Sequence, residues 1–97
     1  MEKKNISKQS EEIQRRFFEA LDILINQGRI KGIKTFCDVY GLNRVKYSNR
    51  RIALQTGSSA SPYKIIDIEA LAYLARDYSV SSDWLLSGRG GMFKPSI

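Results

Sequence analysis

Residues 33–52 read IKTFCDVYGLNRVKYSNRRI, two short helical segments joined by a tight turn at Gly41. The first part, Thr35-Phe36-Cys37-Asp38-Val39-Tyr40, carries apolar residues that can face a core. Gly41 then supplies a position at which positive φ costs little, as a sharp helix-to-helix turn requires. Leu42 is apolar again, and Asn43 is a good N-cap for a second helix. That helix, expected over residues 44–52, carries Arg44, Lys46, Arg50 and Arg51 and no acid. A short helix, a turn and a basic helix form the pattern of a helix-turn-helix DNA reader.

The segment resembles the helix-turn-helix of the lambda-repressor-like (XRE) family of bacterial and phage regulators. A small residue stands in the first helix (Cys37), a glycine follows four positions on (Gly41), and a hydrophobic residue comes next (Leu42). Val80-Ser81-Ser82-Asp83-Trp84-Leu85-Leu86-Ser87-Gly88 is similar to the VS-x-DWLL-x-G segment that closes many such domains. The resemblance covers roughly residues 11–93, and this C-terminal signature is its more specific half.

The resemblance implies an all-α, five-helix lambda-repressor-like bundle with a helix-turn-helix. It implies sequence-specific binding to double-stranded DNA by a transcriptional regulator, a repressor, acting as a homodimer. The second motif helix would enter the major groove, with Asn43, Arg44, Val45, Ser48 and Asn49 facing the bases. Arg44 suits guanine O6/N7 and Asn49 suits adenine N6/N7. Lys34, Lys46, Arg50, Arg51 and Lys64 are assigned to phosphates, as are Ser58, Ser59 and Tyr63 in a loop expected beside the DNA backbone. Two positions depart from the family pattern. An aliphatic residue usually stands where Tyr47 is, and an aliphatic or aromatic one where Arg50 is. Val45, Tyr47 and Ile52 are then expected to share the packing of this helix. Its rotation stays open: with Arg44 turned away, Lys46 and Arg50 on the neighbouring stripe would take its place at the bases.

The chain has 97 residues and net charge +6. This suits one domain over residues 10–90, with tails at 1–9 and 91–97. Between positions 39 and 66 lie Arg44, Lys46, Arg50, Arg51 and Lys64 and no acid, so nearly all the excess charge is in this span. Concentrated positive charge favours a polyanion through counterion release. The single cysteine, Cys37, has no partner for an internal disulfide and reads as a buried small hydrophobe in a reducing compartment. No apolar run is long enough to span a membrane, and no signal-peptide-like stretch opens the chain, so a cytoplasmic, nucleoid-associated location is expected.

Elsewhere the periodicity predicts a first helix over residues 11–27, capped by Ser10, with Ile13, Phe17, Phe18, Leu21, Leu24 and Ile25 inward and Gly28 as its stop. Either Gly32 or Thr35 starts the next helix. Thr35-x-x-Asp38 is capping-box-like, whereas the family register favours Gly32. Residues 53–63 read as a loop. A fourth helix over 67–78 is expected to be capped by Asp67 and to bury Ile68, Leu71, Leu74, Ala75 and Tyr78. Ser81 should cap a last helix ended by Gly88, with Trp84 as the largest single burial. Met92 and Phe93 either fold back or meet a partner subunit.

A second functional class is a protein-interaction module of the same fold, such as an antitoxin-like partner binder. The lack of acids on the basic helix argues against it. An enzyme is not expected, because the chain has no histidine, no metal-ligand cluster and no carboxylate pair in a catalytic frame. The loop at 53–63 is too short to cradle a nucleotide phosphate with its lysine. No cofactor, metal or small-molecule ligand is therefore expected.

Overall fold

The first helix, α1 (Lys8–Asn26), is amphipathic, and its inner face begins the core. This computed structural model describes residues 8–56 and 66–95, and all its regular elements are helical. After α1 come α2 (Ile33–Tyr40), α3 (Arg44–Thr56), α4 (Ile68–Asp77) and α5 (Ser82–Ser87). Ser58, Ser59, Tyr63 and Lys64 lie outside the described residues.

Phe17, Phe18, Leu21 and Leu24 of α1 are buried, as their spacing predicts. Ile13 is only half-buried, and Gln14 takes the inner position beside it. Ser10 is inside the helix instead of capping it, since α1 already runs from Lys8. Gly28 ends this segment at φ 77.

Four rings make the centre of the core. Phe17 meets Phe18 edge-on at 4.9 Å between centroids, Phe36 at 5.9 Å and Tyr47 at 6.0 Å. Such tilted arrangements place the positive edge of one ring on the negative face of another. Tyr47 is the largest fully enclosed side chain, not Trp84, which is only half-buried; Leu85 beside it takes the inner position.

The Tyr47 hydroxyl is buried with its ring and needs a partner. It donates to Asp67 Oδ2 at 2.8 Å, and the Asp67 backbone N–H donates back to it at 3.0 Å. Asp67 does occupy the N-cap position of α4, yet its side chain makes no cap hydrogen bond. The carboxylate serves α3 instead, also accepting from Lys46 Nζ at 3.3 Å. The start of α4 is thus bound to the first turn of α3. Ile68 consequently points to solvent, contrary to expectation, and Ala70 and Leu74 form the inner face.

A second tie joins α2 to α4. The Tyr40 and Tyr73 rings stack at 4.1 Å, and the Tyr40 hydroxyl donates to Asp77 at 2.6 Å. Two neighbouring arginines of α1 complete the frame. Arg15 donates to the Leu54 carbonyl at 2.9 Å, and Arg16 to the carbonyls of Leu85 at 2.9 Å and Leu86 at 3.3 Å. These carbonyls belong to the last turns of α3 and α5, where helical acceptors have no partner within the helix.

The C-terminal segment folds back. Ser81 N–H donates to the Met92 carbonyl at 2.8 Å and Lys94 N–H to the Ser79 carbonyl at 2.9 Å, with a single bridge between Val80 and Phe93. Ser81 caps α5 through the Trp84 N–H at 3.2 Å, and Gly88 ends it at φ 76, both as expected.

Burial works against the ionised Asp67 carboxyl, but the Tyr47 and Lys46 hydrogen bonds outweigh it and hold the group below its ordinary value of 3.8. Removing the hydroxyl with Tyr47→Phe should cost about 1–2 kcal/mol near pH 7, the lower part of the range for bonds to charged groups, because the carboxylate is 37% exposed. A depressed carboxyl stabilises the fold above its unfolded value and loses that contribution as pH falls through the folded one. The gap between wild-type and Tyr47→Phe unfolding free energies, measured in urea, should therefore narrow below about pH 4.

Candidate nucleic-acid interface

The turn between α2 and α3 sets how the basic helix is presented. Gly41 adopts φ 69, and the Leu42 N–H reaches back to the Cys37 carbonyl at 2.8 Å. This pattern closes the end of a helix and turns the chain sharply. Cys37 is fully buried at the foot of the turn. Burial first, and then the charge of Asp38, push its thiol up to about 11. Asn43 caps α3 as expected, its Oδ1 accepting from the Lys46 N–H at 2.9 Å. Gly32 stands at the N-cap of α2, so Thr35 is inside that helix and the capping pair with Asp38 does not form.

α3 divides into two faces. Tyr47, Arg50, Ala53 and Leu54 are buried against the core. Arg44, Val45, Asn49 and Ile52 are exposed, and Ser48 is half-buried. Val45 at 62% and Ile52 at 56% exposure take no part in packing the helix, so Tyr47 holds it with Ala53 and Leu54. The helix also continues to Thr56, past the expected end. Arg50 is 5% exposed. It follows Tyr47 by three positions and precedes Leu54 by four, which places all three on one face. Burial holds its guanidinium below the ordinary value, with Glu11 acting in the opposite sense. Enclosed in this way, Arg50 is withdrawn from the phosphate contacts expected of it.

The outer face gathers most of the residues assigned to bases. Arg44, Val45, Ser48 and Asn49 line a shallow open depression of about 390 Å³ together with Lys34 from the first turn of α2. Asn43 stands exposed just before α3. Of the two rotations left open by the sequence, this one turns Arg44 and Asn49 outward and Arg50 inward.

Folding brings acids to the basic helix that its own sequence lacks. Arg44 Nε is 3.3 Å from Asp38 Oδ1, Lys46 Nζ is 3.3 Å from Asp67 Oδ1, and Arg51 Nη2 is 2.9 Å from Asp22 Oδ1. Lys46 and Arg51, both assigned to phosphates, thus also pin α3 to α4 and to α1. Periodicity within one helix carries no trace of these partners, which come from other helices.

Among the described residues, no group of three His, Cys, Asp or Glu side chains is placed to hold a metal ion, and no helix is long and apolar enough to cross a membrane. Comparison of the chain with protein-family models, curated proteins and solved structures found no match.

The two asparagines of this surface should separate under mutation. Asn43→Ala removes the cap of α3 and should lower stability by about 1 kcal/mol. Asn49→Ala removes an exposed side chain and should change it by less than about 0.5 kcal/mol. Urea unfolding of both variants checks this, and equal losses would contradict the division of roles.

Proposed function

We propose that the protein is a sequence-specific reader of double-stranded DNA, acting as a transcriptional repressor with a lambda-repressor-like helix-turn-helix. The observation that carries this reading is the outer face of α3 and its surroundings. Lys34, Arg44, Val45, Ser48 and Asn49 converge there on one accessible depression, beside an exposed Asn43. A helix presented by a tight turn, with donors and a small apolar group near its N-terminus, suits the major groove. In this reading Arg44 bonds a guanine edge, Asn49 an adenine edge, and Val45 lies against a base. Lys34 meets phosphate, and Lys46 and Arg51 add to the positive field while bound in the fold. Two copies on a dyad-symmetric site would match the symmetry usual for such readers. Met92 and Phe93 are half-buried in the folded-back tail, so the proposed contact between copies is the outer face of α5, with exposed Leu86.

The second reading, a protein-interaction module of the same fold, draws support from Val39, Val45 and Ile52, which are large, apolar and exposed on the motif helices. Capture of one protein partner with no DNA shift would favour it.

Selection from a random DNA pool tests the first reading and reports the site and its symmetry together. With about three to five phosphates neutralised per subunit, log K should fall with log salt at a slope of roughly −3 to −4.5. Arg44→Ala should cost about 1–3 kcal/mol on the selected site and relax the choice at one base pair. Lys34→Ala should weaken binding to selected and scrambled DNA alike and reduce the slope by about one. Absence of any DNA binding at about 50 mM salt, where such contacts are strong, would remove this reading.

A further inference from the structure

The Asp38–Arg44 pair crosses the turn from α2 to the first residue of α3. We propose that Asp38 is a positioning residue, holding the Arg44 side chain so that it selects guanine in the bound DNA. The inference rests on the DNA-binding reading above.

Both side chains are more than half exposed, Asp38 at 60% and Arg44 at 54%. An ion pair so open to water adds almost nothing to stability. A carboxylate beside a surface that meets phosphates also weakens attraction to every DNA sequence. Neither folding nor general affinity accounts for an acid at this place, whereas selectivity does.

A guanidinium offers five N–H donors in a planar fork. The nitrogen nearest Asp38 is Nε, on the edge of that fork, with 3.3 Å to Oδ1. With Nε on the side of the carboxylate, the Nη1–Nη2 end, which presents two parallel donors, is left for another acceptor. Guanine O6 and N7 are two adjacent acceptors and match that end. A long side chain held in one orientation also loses less freedom when it bonds. A carboxylate beside the guanidinium also repels a phosphate that approaches it, which disfavours the contact that carries no sequence information. Lys34 in the same depression is left to supply that contact.

The test uses Asp38→Asn, Arg44→Ala and the double variant, each titrated against the selected site and against the same site with the Arg44-dependent base pair replaced. Thermal unfolding of Asp38→Asn should match the wild type. A good bidentate contact discriminates by roughly five- to 150-fold. Asp38→Asn should bind scrambled DNA more tightly while losing at least about threefold of the discrimination at that one base pair. In the Arg44→Ala background, Asp38→Asn should still raise general affinity but leave base preference unchanged, the non-additivity of coupled neighbours. Selective DNA binding with discrimination unaltered by Asp38→Asn, or altered equally in both backgrounds, would overturn the inference and leave the DNA reading intact. A wild-type protein that binds no DNA would overturn both.

Discussion

The reciprocal hydrogen bonds between Tyr47 and Asp67 constrain more of this structure than any other contact. Tyr47 brings a phenol into the middle of an aromatic cluster, and its hydroxyl must be satisfied there. Asp67 supplies both an acceptor and a donor to it. Burial raises the hydroxyl above the ordinary tyrosine value; the Asp67 backbone N–H acts against this, and the bond donated to the Asp67 carboxylate acts with it. The group therefore stays protonated and keeps donating. Because Tyr47 is in the first turn of α3 and Asp67 precedes α4, this pair of bonds ties the roll of the basic helix to the start of its successor. The inward roll of Tyr47 brings Arg50 inward with it, and by the same rotation sends Arg44, Val45 and Asn49 outward.

This explains why some of the candidate interface was legible in the sequence and some was not. Positive φ at Gly41, the cap at Asn43 and the buried Cys37 depend on residues within a turn or two, and local chemistry predicts them. The roll of α3 was ambiguous because position 50 holds an arginine. A charged residue reads as surface, although its long aliphatic stem can line a core. Counting charges along the chain had a similar weakness. No acid occurs between residues 39 and 66, yet Asp22, Asp38 and Asp67 each reach a base of that span once the helices pack. The positive field of the surface is thus smaller than linear counting implies.

The fold at large follows the same division. The all-helical class, the stripe of α1 and the stops at Gly28 and Gly88 come from periodicity and short-range conformational preference. The misplaced elements depend on tertiary partners. Asp67 looks like a cap for α4 and stands in that position, but the buried hydroxyl of Tyr47 is the stronger claimant on its carboxylate. Trp84 carries more apolar surface than Leu85, yet the short α5 turns only one of the two inward. Arg15 and Arg16 are ordinary surface residues in sequence. Only the arrangement of helices places the last-turn carbonyls of α3 and α5 within their reach.

Val45 bears on the choice between the two functional readings. A β-branched residue is a slightly poor helix former, and at 62% exposure it gains little from the core. Its place is therefore not explained by stability. In a major groove, its methyl groups have a natural counterpart in the C5-methyl of thymine, beside the donors of Arg44 and Asn49. On a protein partner, the same methyl groups would need an apolar pocket. That pocket would also have to accept Lys34 and Arg44, which line the same depression and carry positive charge into it. Asp38 offsets only Arg44, and burying the Lys34 charge without an acid from the partner is costly. A polyanion supplies the counter-charge along its whole length and leaves the valine free to touch a base. The mixture of one small apolar side chain with surrounding cations and amides is therefore the feature on which the proposed DNA reading rests against a purely hydrophobic protein groove.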